Sequence, residues 1–155
     1  MKKHWAAEFY NLAESKGDKC EVVRRSRGWI ETVNFNGKKY FTKSVTYDLS
    51  KRQFFQGVDI SKPNETGDFV LICGGKRDIL SDIFIIPWAI FFETLKEGEP
   101  INTYQPPKEY FQYKFYLRDR DGCWFISVEG GNRPRCDISK FHYNVEKALA
   151  LISSA

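Results

Sequence analysis

Histidine is scarce in this chain, with two among 155 residues, His4 and His142. The four cysteines, Cys20, Cys73, Cys123 and Cys136, are widely spaced, and no two form C-x-x-C. Together these leave no four-ligand zinc spacing. A G-x-S-x-G elbow, a Walker loop and a Rossmann fingerprint are also missing. The longest apolar stretch, Ile83 to Phe92, contains Pro87 and is too short for a membrane span. The first residues are polar at helical spacing and lack the apolar run of a secretory signal. Three of the cysteines lie in or beside apolar runs, where a free thiol packs as a small hydrophobe, and free thiols suit a reducing compartment. These absences predict a soluble cytoplasmic protein with no metal site and no cofactor.

Rings and a mild basic excess are what the chain does have. Aromatics make up 16%, as 13 Phe, 8 Tyr and 4 Trp, and 24 Lys and Arg stand against 20 Asp and Glu. The net charge of +4 and a pI near 8.8 permit a nucleic-acid partner without demanding one. Hydrophobic residues at 42% and charged residues at 28% describe a globular chain. Its length suits one domain, residues 1–155, with a core that needs no staples.

Trp5, Phe9, Leu12 and Ala13 recur at helical spacing before Gly17, which predicts an amphipathic helix over 4–16. Strand-like runs follow at Cys20–Arg24, Trp29–Phe35, Lys39–Tyr47 and Gln53–Ile60, with Asn36-Gly37 as a hairpin turn. In Lys39–Tyr47, Tyr40, Thr42, Ser44 and Thr46 share one face, and Phe41, Lys43, Val45 and Tyr47 the other. Phe69–Cys73 and Ile83–Ile86 are continuous apolar runs that suit strands buried on both faces, with Gly74 to Asp78 as the turn between them. Pro87 fits the first turn of a helix through Leu95. Residues 98–108, rich in proline, read as a long loop. Tyr113–Arg118 and Cys123–Val128 form a hairpin about Asp121-Gly122, and residues 130–135 a basic loop. Asp137 or Ser139 then caps a last helix carrying Phe141, Val145, Leu149 and Ile152. The expected fold is α+β: a curved, mostly antiparallel sheet or partly open barrel of about seven strands, flanked by N- and C-terminal helices.

Catalytic readings meet obstacles in the sequence. Both histidines fall in predicted helices beside Trp5 and Phe141, where packing is the commoner role. A PD-(D/E)XK nuclease would hold Mg²⁺ with an acid on one strand and an acid-x-Lys on the next. Asp59 or Asp68 could supply the first acid, but Glu129 is followed by Gly131 where the lysine belongs, and Glu14-Ser15-Lys16 lies on the first helix. That nuclease reading stands as an alternative, as does a protein-interaction or small-ligand domain.

Cations gather instead at predicted turns and strand ends: Arg24, Arg25 and Arg27; Lys39 after the first hairpin; Arg52; Lys76 and Arg77; Arg118 and Arg120; Arg133 and Arg135. Such residues suit phosphate contacts, and arginine can read a guanine edge. Trp29, Tyr40, Phe54, Tyr104, Tyr110 and Tyr113 lie near them as candidate stacking platforms, with Trp88 as core or pocket wall. Phe9, Phe69, Phe84, Phe115, Phe125 and Phe141 fall on predicted core faces.

The run Gly67-Asp68-Phe69-Val70-Leu71-Ile72-Cys73, followed by Asp82-Ile83-Phe84-Ile85-Ile86-Pro87-Trp88, resembles recognition domains attached to restriction endonucleases. The strand count is similar to the PUA-like, SRA-like and EVE-like pseudobarrels that read modified bases. The resemblance implies a direction rather than a site: a non-catalytic domain that recognises duplex DNA, with a specific or modified base as its target. Its setting would be a restriction or defence system with a nuclease domain or subunit as partner.

Overall fold

The computed structural model describes residues 4–26, 28–59, 67–96, 101–102, 111–128 and 135–154. In chain order the elements are α1 (Trp5–Ser15), β1 (Cys20–Ser26), β2 (Trp29–Phe35), β3 (Lys38–Asp48), β4 (Gln53–Asp59), β5 (Phe69–Lys76), β6 (Ile79–Pro87) and α2 (Trp88–Lys96). They continue with β7 (Ile101–Asn102), β8 (Phe111–Arg120), β9 (Cys123–Val128), β10 (Arg135–Asp137), a 3-10 turn (Ser139–Phe141), β11 (His142–Tyr143) and α3 (Val145–Ser153). The fold is α+β, a mixed sheet curled into a half-barrel of eight strands in the order β10-β9-β8-β4-β3-β5-β6-β11. Strand β2 joins β1 to β3, and β7 pairs with β8. Among the described residues every pairing is antiparallel except β3 with β5.

Strand β3 is the hinge of this curl. Its first half pairs with β2, its last two residues with β4, and β5 runs parallel to it over Tyr40–Thr46. The alternation expected along it holds. Tyr40 joins a core with Leu71, Cys73, Ile83 and Ile85 beneath α1 and α3, whereas Phe41 and Val45 join Val70, Ile72, Phe84 and Ile86 inside the curl. Strands β5 and β6 therefore separate two cores, which is why their sequences are continuously apolar. The inner core is closed by Phe91 and Leu95 of α2, Phe115 and Leu117 of β8, and Trp124 and Ile126 of β9.

Helix α1 has no side-chain cap of its own. Ser44 Oγ of β3 accepts from the Ala6 N–H at 2.9 Å, and the Trp5 indole donates to Thr46 Oγ1 at 3.0 Å. The sheet thus satisfies the helix end. This docking explains Gly74 and Gly75, which belong to β5 rather than to a turn. A methyl on Gly74 would stand 2.8 Å from Phe54 Cζ in the inner core, and one on Gly75 would land in the Trp5 indole on the other face. Two adjacent side-chain-free positions let a large ring lie on each side of one strand, and the ladder is irregular there. The turn itself is Arg77-Asp78, both at positive φ (50° and 64°).

The last helix is also corrected. It begins at Val145 with Asn144 as its cap, whose side chain accepts from the Lys147 N–H at 2.8 Å. Phe141 lies in the 3-10 turn, and His142 and Tyr143 pair with Phe84 and Ile83 of β6, so their backbone groups serve the sheet. Pro87 ends β6 directly before α2. No helix among the described residues is long and apolar enough to cross a membrane.

Candidate functional site

Hairpin topology decides where the cations go. Strand β5 is parallel to β3, and β4 and β6 return antiparallel from their ends, so the β3–β4 and β5–β6 turns open at the same end of the sheet. Register Gln53↔Arg118 brings the β8–β9 turn to that end as well. Arg52, Lys76, Arg77, Arg118 and Arg120, drawn from three separate segments, therefore share one rim.

The rim is built around Tyr47 at the end of β3. Its hydroxyl donates to Asp119 Oδ1 of β8 at 2.6 Å. Burial, and then the hydrogen bond to Asp119, push the phenol up to about 12. Asp119 also lies 3.9 Å from Arg52 Nε and 3.8 Å from Arg120 Nη1. Arg120 is a structural cation. Its guanidinium donates to the carbonyls of Lys51, Arg52 and Asp119 at 3.2, 2.8 and 2.7 Å, tying the β3–β4 turn to β8. Arg118 donates from Nε to Gln53 Oε1 at 3.0 Å and lies over the Tyr116 ring.

Lys76 ends β5 with its ammonium 4.3 Å from the Tyr47 ring centroid and 5.5 Å from that of Trp124. Both contacts suit cation–π attraction. The same ammonium lies 3.7 Å from Asp82 Oδ2. Asp82 Oδ2 accepts from Ser81 Oγ at 2.7 Å, and Oδ1 stands 2.7 Å from His142 Nε2. Burial alone would raise the Asp82 carboxyl, but the hydrogen bonds from His142 and Ser81 and the Lys76 charge outweigh it, holding the group below the usual range. The His142 ring lies against Phe84 and Trp124, with centroids 5.0 and 5.1 Å away. The sequence does not single out Tyr47, Asp82, Asp119 or Trp124 as site residues, and His142 reads there as a packing residue of a helix. The apolar neighbours of His142 suggested a helix, and only the β6 pairing reveals its partner.

The other predicted residues are scattered. Arg24 is exposed on β1, 3.9 Å from the Glu31 carboxylate, and Arg25 donates to the Gly28 carbonyl. Trp29 stacks on His4 with centroids 3.4 Å apart, which occupies one face of the indole. Lys39 is the second residue of β3, at the opposite end of the sheet, where its N–H donates to the Asp68 carboxylate at 2.9 Å. Trp88 packs against Phe41 and Phe92 beside the inner core. Tyr40 and Phe54 are corrected: at 3% and 0% exposure they are core rings and cannot meet a base. Alternation along β3 and β4 turns them inward because the sheet is covered on both faces. Arg27, Tyr104, Tyr110 and Arg133 lie outside the described residues, as do the side chains of Asp59, Tyr113 and Arg135.

Among the described residues, no three His, Cys, Asp or Glu side chains gather where they could hold a metal ion. No family model matches this chain, and no curated protein or solved structure does either.

Proposed function

We propose that this chain is a DNA-recognition domain without catalysis of its own, which grips duplex phosphates with the rim cations of the half-barrel. The observation that carries this reading is the convergence of Arg52, Lys76, Arg77 and Arg118 on one end of the sheet, with Arg120 and Asp119 fixing the β3–β4 turn that presents Arg52. Preorganised cations lose less entropy on meeting a phosphate than free side chains do. The stacking element expected from the sequence moves: Tyr47 and Trp124 hold Lys76 in place, and Trp29, with one face against His4, is the best described ring for a base. The resemblance to endonuclease recognition domains supports a restriction or defence setting in the cytoplasm, beside a nuclease domain or subunit.

The test is a titration of a labelled duplex of about two helical turns at two salt concentrations. Neutralising several phosphates makes log K fall with log salt by about 0.9 per phosphate. Undetectable affinity, or affinity indifferent to salt, overturns the proposal.

A further inference from the structure

We propose that Lys76 and His142, both anchored on Asp82, form a phosphate clamp that becomes complete when His142 takes up a proton. The inference deepens the DNA reading and rests on it for the identity of the ligand.

The carboxylate is the most deeply buried of the three groups. Side-chain exposure is 10% for Asp82, 27% for His142 and 32% for Lys76, so the two nitrogen bases are more open to solvent than the acid. Asp82 is fully engaged: one oxygen with His142, the other with Ser81 and Lys76. Its partners are held in place from other sides as well. The ammonium is steadied by Tyr47 and Trp124, and the imidazole by Phe84 and Trp124. A buried carboxylate with both oxygens committed orients these bases, and the Lys76 ammonium offsets its charge toward an approaching anion.

The hydrogen bond to Asp82 assigns a proton to Nε2, because a carboxylate only accepts. A neutral ring then presents Nδ1 as a lone pair, and Nδ1 makes no hydrogen bond among the described residues. A phosphate oxygen is also an acceptor, so the neutral clamp carries one donor, Lys76, and a group charge of zero from Lys76 and Asp82. Protonation at Nδ1 supplies the second donor and makes the group +1. Phosphate binding and proton uptake are therefore linked, one for one.

The titratable or charged group that touches His142 is Asp82 on β6; Lys76 on β5 shares that carboxylate, Tyr47 on β3 and Asp119 on β8 follow through Lys76, and Lys140, Tyr143, Glu146 and Lys147 neighbour it in the chain. Its neighbour on β9, Trp124, does not titrate. His4, the other histidine, stacks on Trp29 and is the control.

The experiment has two arms. Duplex affinity is measured by anisotropy from pH 8.5 to 5.5 at constant ionic strength for the native chain, His142→Gln and His4→Gln. The affinity of the native chain and of His4→Gln rises on acidification, approaching about tenfold per pH unit in the steepest part for one linked proton. His142→Gln, whose amide can still donate to Asp82, stays flat at the weak alkaline value. The second arm follows the His142 ring protons of the native chain by NMR, in inorganic phosphate and in chloride of equal ionic strength. Phosphate moves the midpoint to higher pH. An unmoved midpoint overturns the clamp, as does DNA affinity that is flat or falls on acidification, or an acid dependence that survives in His142→Gln. A phosphate-shifted midpoint without DNA binding at any pH keeps the clamp and removes the DNA reading.

Discussion

Asp82 and His142 lie 60 positions apart and meet at 2.7 Å, between a carboxylate oxygen on β6 and Nε2 on β11. The contact exists because two residues, His142 and Tyr143, leave the 3-10 turn and pair with Phe84 and Ile83 before α3 begins. That pairing joins the C-terminal segment to the inner core and to the β5–β6 hairpin at once. Removing the charge at Asp82 thus disturbs Ser81, Lys76 and His142 together.

Asp82→Asn is expected to destabilise the fold by about 2 kcal/mol, since hydrogen bonds to a charged group contribute about 1.5–3 kcal/mol and the site is largely buried. A lowered urea midpoint with an unchanged slope checks this. The pH dependence has a definite sign. The folded-state carboxyl titrates below its unfolded value, so its stabilisation is present above about pH 4 and is lost as pH falls through the folded value. Asp82→Asn should flatten that acid limb, and an acid limb identical to the native one counts against the ion cluster.

At the alkaline side two tyrosines act in concert. Burial raises both Tyr40 and Tyr47 to about 12. A phenol whose folded value is raised stabilises the fold fully below its unfolded value of about 10, and that stabilisation is lost as pH rises through the folded value. Stability should begin to fall above about pH 10. Tyr40→Phe should reduce this fall, as measured by thermal melts from pH 8 to 11.

Gly75→Ala is expected to cost about 3 kcal/mol, near the top of the range for overpacking, because the rigid Trp5 indole occupies the space and its N–H is held by Thr46. Gly74→Ala should cost less, about 1–2 kcal/mol, since a small tilt of Phe54 relieves the contact. Trp5→Leu placed in the Gly75→Ala chain should recover part of the loss. A double-mutant cycle showing simple additivity would sink the account of the glycine pair.

Binding should divide the cations by position. Arg52→Ala should weaken duplex binding across sequences and lower the salt slope by about one. Lys39→Ala, at the far end of the sheet, should leave the slope unchanged. Arg120→Ala should affect stability and binding together, because its guanidinium holds three carbonyls of the turns that present Arg52. Equal slopes for Arg52→Ala and Lys39→Ala would show that the rim is not the binding face.

Much of the fold was legible because it is local. Asn36-Gly37 and Asp121-Gly122 adopt the positive φ pairs of tight hairpins, at 53° and 90° and at 53° and 79°, as their sequences demand. Period-two alternation placed both faces of β3 correctly, and burial of Phe9, Phe84 and Phe115 follows from pattern alone. The site was not legible, for physical reasons. Strand β11 is two residues long, too short to show a period in sequence, and is defined by its pairing with the edge of β6. The use of Gly75 is set by a ring 70 positions upstream. Tyr40 and Phe54 stand beside cations in the chain, yet a strand sends neighbours to opposite faces, so adjacency to a charge says little about exposure.

The glycine pair has a mechanical meaning. At Gly74 and Gly75 the wall between the two cores is one bare backbone thick, with Trp5 against one side and Phe54 against the other. Phe54 in turn stacks on Trp124, the ring beneath Lys76. The seat of the first helix and the floor of the rim are thus opposite surfaces of a single thin partition, and pressure on α1 would be felt at the clamp without any hinge or moving loop between them.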